Sequence, residues 1–164
     1  MLKPGSLRDQ LTAAIPQLKT DPSKLSILIK SGVLSTRLTT SLAFEYNYTL
    51  QVLLLDYSGH PDAVMLPIVM WLRQHQPDLL DNPDRQTKAV RFEADFLTAT
   101  TVDLAIELDL TENVFTRPRP GVGGGMDVIH KAEPVHPSVQ PFSEEWSLWF
   151  RDELLAQWNH DPRP

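Results

Sequence analysis

Cysteine is absent from this chain of 164 residues. Neither a disulfide framework nor a thiolate-bound metal can therefore support the fold, and a thiol nucleophile is excluded. Long apolar runs are also missing, because the longest, residues 63–72, is about half of a membrane span. The first residues lack the apolar core of a signal peptide. These absences predict a soluble, unexported protein that assembles in a reducing cytoplasm and does not cross a membrane.

Clustered positive charge is missing as well. The chain carries 15 lysines and arginines against 21 aspartates and glutamates, which gives a formal net charge of -6 at pH 7. Sequence-independent binding to DNA draws its strength from clustered basic residues that displace counterions from the phosphates. We therefore expect that DNA can pass near this protein without being bound by it.

Motifs for catalysis and metal binding are the third absence. The histidines never occur at a spacing that would place two of them on adjacent turns of one helix; they are His60, His75, His130, His136 and His160. No Gly-x-Ser-x-Gly elbow marks a nucleophile. The glycine-rich segment 121–125 lacks the Gly-Lys-Ser/Thr ending of a phosphate-binding loop. The sequence thus predicts no catalytic residue, no metal, no cofactor and no enzymatic activity, with a small hydrolase as a disfavoured alternative.

Alternating apolar residues predict four strands. In residues 44–56 every even position up to Leu54 is apolar, which indicates a half-buried strand. Residues 25–30, 90–96 and 102–110 also alternate, with Leu28 as the one break in the first of these segments. The segments between and after them are predicted as a polar loop at 32–42, a turn at 81–84, a hairpin loop at 98–100, looser structure beyond 111 and a short returning strand at 126–130.

Two segments show the periodicity of amphipathic helices. Residues 6–19 carry one apolar stripe, although Pro16 should kink the helix. The other begins near Pro61, a residue suited to the first helical position, and places Ile68 and Trp71 on one face. The order helix, strand, strand, helix, strand, strand predicts an α+β two-layer sandwich, with about four mainly antiparallel strands and two helices on one face.

The late part of the chain changes in character. We predict a core domain at residues 1–116, a glycine- and proline-rich hairpin tip and tether at 117–142, and an aromatic C-terminal arm at 143–164. The residues of the arm leave two structures open. Ser143 as an N-cap favours a short helix, whereas alternation on both sides of Arg151 favours a hairpin.

Four segments resemble, by their order and joint presence, the tail completion protein R family of contractile-tailed temperate bacteriophages. They are residues 1–7, 44–56, 67–80 and 108–112. The resemblance implies a structural protein of the virion and not an enzyme. It implies a tail terminator that caps the tail tube and sheath, stops polymerisation and prepares head joining. It also favours the hairpin form of the arm.

Partners follow from the same resemblance. We infer a homo-oligomeric ring, because an exposed sheet edge and a tethered aromatic arm provide a physical means of closure, and similar tail terminators, which are usually sixfold, suggest a hexamer. The ring would contact tail tube and sheath proteins and the head-tail connector proteins, with DNA passing through without specific binding. The protein would belong to the tail of a phage or prophage particle and assemble in the bacterial host cytoplasm. A tail assembly factor or adaptor that does not form a ring is the alternative.

Two surfaces are candidates for these contacts. The alternation of the strands places six carboxylates on the sheet face opposite the helices, namely Glu45, Glu93, Asp95, Asp103, Glu107 and Asp109. This face is either a solvated surface or the wall of a lumen that repels DNA phosphates. The arm supplies Trp146, Trp149, Phe150 and Trp158. These rings either cover the core of their own chain or reach the next subunit or a tail partner.

Overall fold

Two groups of helices, each followed by a group of strands, make up the fold. The computed structural model describes residues 1–36, 42–121, 123–134, 137, 139 and 143–160. The helices are α1 (Lys3–Ala14), α2 (Pro16–Thr20), α3 (Asp62–His75), α4 (Pro77–Asp81) and α5 (Pro83–Gln86), with a 3-10 turn at Pro22–Lys24. The strands are β1 (Leu25–Thr36), β2 (Phe44–Tyr57), β3 (Val90–Phe96), β4 (Val102–Pro118), β5 (Met126–His130), β6 (Glu144–Phe150) and β7 (Glu153–His160).

Proline divides the first predicted helix and ends the second. Ile15 is extended between α1 and α2, because a residue that precedes proline is driven out of the helical region. Gln76 separates α3 from α4 in the same way, ahead of Pro77. The predicted turn at 81–84 is instead the junction of α4 and α5, where the Asn82 side chain accepts a hydrogen bond from the Asp84 amide.

Antiparallel pairing joins the strands of the main sheet in the order β1-β2-β4-β3, and β5 also pairs with β4. Val114 pairs with β2 on one side and with β5 on the other, whereas Leu108 pairs with β2 and β3. The strands β3 and β5 therefore lie end to end along the same edge of β4. The predicted α+β fold, the hairpin loop at 98–100 and the returning strand at 126–130 are confirmed.

Two strands are longer than predicted. Strand β1 continues through residues 32–36, where a loop was expected, and the rest of that predicted loop, residues 37–41, lies outside the described residues. Strand β4 continues to Pro118, so the expectation of looser structure beyond residue 111 is wrong. In both cases an antiparallel neighbour, β2 or β5, holds residues whose sequence shows little apolar alternation.

The core lies between the sheet and the helices. On the sheet side it contains fully buried residues of the two central strands, such as Leu50, Ile106 and Leu108. The helices α1 and α3 contribute Leu7, Leu11, Ile68, Trp71 and Leu72. Each large side chain contributes about 1.5–3 kcal/mol by leaving water, before the loss of conformational entropy is subtracted.

Candidate interaction surfaces

A buried polar cluster joins the N-terminus of the chain to the middle of the sheet. The Lys3 Nζ atom donates hydrogen bonds to Gln76 Oε1 at 2.6 Å and to the Thr111 carbonyl at 2.7 Å. Its third partner is Glu133 Oε1, at 3.1 Å. Three acceptors therefore match the three donors of the ammonium group, as a buried lysine requires.

The Gln76 side chain binds β4 at a position where a neighbouring strand would otherwise pair with it. Among the described residues, the edge of β4 has no paired strand at Thr111, between the start of β3 at Val90 and the end of β5 at His130. There the Thr111 amide donates to Gln76 Oε1 at 3.1 Å, and Gln76 Nε2 donates to Thr111 Oγ1 at 3.0 Å. With Lys3 on the Thr111 carbonyl, both backbone groups of this residue are satisfied without a neighbouring strand.

Glu112 is the carboxylate of the cluster, and it is only 4% exposed. Its oxygens accept hydrogen bonds from the backbone amides of Leu2 at 2.7 Å and Lys3 at 3.3 Å. The first turn of α1 contains no acidic residue, so Glu112 supplies the negative charge that the helix N-terminus favours. The Tyr48 hydroxyl donates to it at 2.5 Å, and His130 Nδ1 lies 3.1 Å away.

Burial and hydrogen bonding act in opposite directions on the ionisation of the cluster. Burial alone would raise the pKa of Glu112, but the hydrogen bonds from Tyr48 and from the two amides outweigh it and lower the pKa below its ordinary value. Burial lowers the pKa of Lys3, although the carboxylates around it act against that change. Burial and the bond to Glu112 raise the pKa of Tyr48.

The four segments that suggested a phage family meet in this cluster. Lys3 belongs to segment 1–7, Tyr48 to 44–56, and Gln76 to 67–80. Glu112 closes segment 108–112. Sequence reasoning missed the cluster, because β4 was expected to end at Leu110. The available signal was the charged Glu112 at an even position that continues the apolar series of that strand.

The six carboxylates do lie on one face of the sheet, which we call the acidic face. The register places Arg91 opposite Glu107, and Asp95 opposite Asp103. Two of the six carboxylates are neutralised: Lys30 Nζ lies 2.6 Å from Glu107 Oε1, and Arg91 binds both oxygens of Asp109 at 2.6 and 3.0 Å.

Charge remains on the acidic face after these pairs are counted. Among the described residues, no ion pair involves Glu45, Glu93, Asp95 or Asp103. Glu45 accepts a hydrogen bond from Asn47, and Asp103 accepts one from the Asp56 amide. The lysine bond lowers the pKa of Glu107, and the arginine bond lowers that of Asp109, so these two carboxylates are the ones held ionised by partners.

The arm is a hairpin of β6 and β7, which settles the choice between hairpin and helix. Arg151 adopts a positive φ of 54° in the turn. One side of the hairpin packs on the chain itself: Trp158 is 4% exposed, and Trp146 packs against the core. The other side faces outward, with Trp149 56% exposed. Phe150 is partly exposed and stacks on His60 with ring centroids 4.8 Å apart.

Other candidate sites can be placed more briefly. Within the described part of the chain, no group of three His, Cys, Asp or Glu side chains could hold a metal ion. His136 and the side chain of His160 lie outside the described residues, as does part of the predicted tip and tether at 117–142. No helix among the described residues is long and apolar enough to cross a membrane. A cleft of about 440 Å³ borders the polar cluster, beside Leu2, His75 and Lys131.

Comparison with known proteins identifies the class. The family model for the P2 phage tail completion protein R (GpR) matches residues 1–134, and the chain belongs to that family. The family is one of phage tail completion proteins. The chain is similar to the Tail completion protein R of Escherichia phage P2, with 36% identity over 159 residues, which are 97% of this chain and 99% of the relative. No solved structure matches it. The resemblance drawn from the four segments is thus confirmed.

Proposed function

We propose that this protein completes a phage tail as a structural component and acts there as a tail terminator. In this role it caps the tail tube and sheath, stops their polymerisation and prepares the end for head joining. The observation that carries the proposal is the 36% identity to the Tail completion protein R of Escherichia phage P2 over nearly the full length of both chains. A match of that extent includes every element of the fold described above.

A ring of copies is the form that we propose for this cap. The growing end of a tube is cyclic, and a closed ring with matching symmetry can cover it. Similar terminators suggest six copies, in contact with tail tube and sheath proteins on one side and connector proteins on the other. Two features of the chain support the proposal, namely the edges of the main sheet, which have no neighbouring strand among the described residues, and the outward aromatic side of the arm. Trp149 and Phe150 lead the candidates for contact with another subunit or a tail partner.

The acidic face is the surface that we propose for the lumen of the ring. Four of its carboxylates have no ion-pair partner among the described residues, so the face keeps a negative field toward solvent. A wall of that charge repels phosphates and lets a duplex slide without sticking. The protein would then guide DNA without binding it.

Deletion of the gene tests the proposed role. We expect lysates of the deleted phage or prophage to contain separate filled heads and unjoined or irregularly long tails, as seen by electron microscopy, and a plasmid copy to restore joined particles. Normal infectious particles from the deletion would overturn the role. The copy number in purified tails separates a ring from the alternative, an assembly factor or adaptor that leaves the particle.

A further inference from the structure

Two edges of the main sheet carry apolar side chains but no neighbouring strand within the described part of the chain. The edge strand β3 exposes Phe92 by 61% and Phe96 by 73%, although both occupy positions that face the helix side of the sheet. The opposite edge, β1, exposes Leu28 and Ile29. Unpaired edges with exposed apolar residues are templates for another chain, and soluble proteins usually protect them.

The directions of the strands make these two edges compatible. Successive strands in the order β1-β2-β4-β3 are antiparallel, and the number of strands on this path is even. The strands β1 and β3 therefore run in opposite directions. If β1 of a second copy is placed beside β3, the sheet continues with the antiparallel pairing that it has inside one chain.

Residues that pair from strand to strand form rows across the sheet. Continuing these rows into a second copy defines a register for the pairing. One row contains Ile29, Leu50, Leu108 and Val90, and another contains Ser26, Leu53, Ala105 and Glu93. Most of strand β3 therefore lies in the same rows as residues 25–29 of β1, at the opposite edge of the sheet. If the next copy continues the rows without a shift along the strands, Val90 lies beside Ile29, Phe92 beside Ile27, and Glu93 beside Ser26.

Charge and local geometry favour the same pairing. Strand β3 presents Glu93 and Asp95, which have no ion-pair partner in the described part of the chain, whereas β1 contains no acidic residue and is preceded by Lys24. Continued in the same register, Asp95 approaches Lys24 of the second copy. The bulge of β1 lies between Ile29 and Ser31, beyond the matched segment. Arg8 donates to the Leu25 carbonyl at 3.2 Å, so the free edge begins after Leu25.

We propose that β3 of one copy pairs in antiparallel orientation with residues 26–29 of β1 in a second copy of this chain. This interface rests on the proposed function, for which it names the contact between subunits. Because the two surfaces differ, the contact is head to tail, and repetition around an axis closes a ring or, without closure, builds a filament. Phe92 then lies under the helix side of the neighbouring subunit and loses its contact with water.

Cysteine pairs test the register directly, since the natural chain contains no cysteine. Residues directly opposite on antiparallel strands have Cα atoms about 4.5–5.5 Å apart, within the range of a disulfide. We expect the variant with Ser26→Cys and Glu93→Cys, oxidised mildly in lysates that contain assembling tails, to form a ladder of covalent dimers, trimers and larger species. The matched variant with Ser26→Cys and Asp9→Cys should stay monomeric on the same gel. No ladder in the first variant, or an equal ladder in the second, would overturn the proposed pairing.

A charged side chain at the edge gives a second, independent test. We expect Phe92→Lys to remain folded, as measured by circular dichroism, because the side chain is exposed. Native mass spectrometry should show that this variant no longer forms the wild-type oligomer. The control Val69→Lys, on the surface of α3, should keep the wild-type oligomer. A folded Phe92→Lys protein with the wild-type oligomer would overturn the interface. If the monomeric variant still completes tails, the interface stands and the proposed ring function fails. If tails remain incomplete, both are supported.

Discussion

Single residues decide how the N-terminus is held. Lys3 and Glu112 are separated by more than a hundred positions, yet the backbone amide and side chain of Lys3 and the side chain of Glu112 meet in the polar cluster. A buried charge is costly unless every donor and acceptor finds a partner, and here each of them does. The cluster therefore makes the start of α1 dependent on a residue of β4.

Loss of the Glu112 charge should destabilise the fold. In Glu112→Gln an amide N–H2 replaces one acceptor oxygen and faces a donor, either the Leu2 amide or the Tyr48 hydroxyl. We expect a loss of about 2 kcal/mol or more in the free energy of unfolding, measured with urea at pH 7. The same change at Glu45, on the other face of the sheet, should cost about 0.5 kcal/mol or less. Equal losses in both variants would contradict the role of Glu112.

Acid should weaken the contact between the Glu112 carboxylate and the start of α1. The folded state holds the pKa of Glu112 below its ordinary value of 4.5, so the unfolded chain takes up a proton more readily. The stabilisation is complete above that value and is lost as the pH falls through the folded pKa. Lys3 lies beside the carboxylate and keeps its positive charge on acidification, and the His130 ring also faces it.

Calorimetry between pH 7 and pH 3 can check this contribution. We expect the midpoint of thermal unfolding to fall in the wild-type protein and to fall less in Glu112→Gln, which has no carboxylate to protonate at this position. The remaining fall reports other carboxylates, such as Asp109, whose pKa the Arg91 bond also lowers. Parallel curves for the two proteins would show that Glu112 does not carry the effect.

At the scale of elements, substitutions on the inner and outer sides of the arm hairpin should differ in their effect on the free energy of unfolding. Trp158 is buried beside α1, so Trp158→Ala should lower the free energy of unfolding by about 3–5 kcal/mol. Its indole N–H has no partner among the described residues, and Trp158→Phe should therefore cost much less. Trp149→Ala should change stability by about 0.5 kcal/mol or less. Chemical denaturation of the three variants checks the order, and a large loss for Trp149→Ala would contradict it.

The elements also show what the sequence could and could not predict. Strand β2 and the core half of β4 follow from two-residue alternation, and the break between α1 and α2 follows from Pro16. The exposure of Phe92 could not be predicted, because alternation places a residue on a face but does not say whether a helix covers that face. The position of Gln76 was equally hidden, since its partners are backbone groups of a distant strand. The division into core, tether and arm stays a prediction.

For the whole molecule, charge on the acidic face should control the passage of DNA. We expect phages that carry Glu45→Lys and Asp103→Lys to assemble normal tails but to eject DNA more slowly, because a positive lumen attracts phosphates. Both residues belong to the central strands, away from the proposed interface between copies. The effect should shrink with added salt, since the screening length falls from about 30 Å at 0.01 M to about 3 Å at 1 M.

A matched charge change elsewhere completes this test. Asp9→Lys with Asp152→Lys alters the net charge by the same amount on α1 and on the turn of the arm. We expect that phage to eject its DNA at the wild-type rate, measured as the release of DNA after triggering with the receptor. Equal ejection rates for both variants at low salt would contradict the proposal that the acidic face lines the lumen of the ring.

The link between Lys3 and Glu112 also constrains the order of events on the ribosome. The 109 positions between them take about 5–20 seconds to synthesise at bacterial rates. During that time α1 has no acceptor for its first amides, and β4, the central partner of the sheet, has not emerged. Contacts between residues so far apart in sequence slow folding as well. A nascent chain therefore cannot complete its fold until the segment that contains Glu112 has been synthesised.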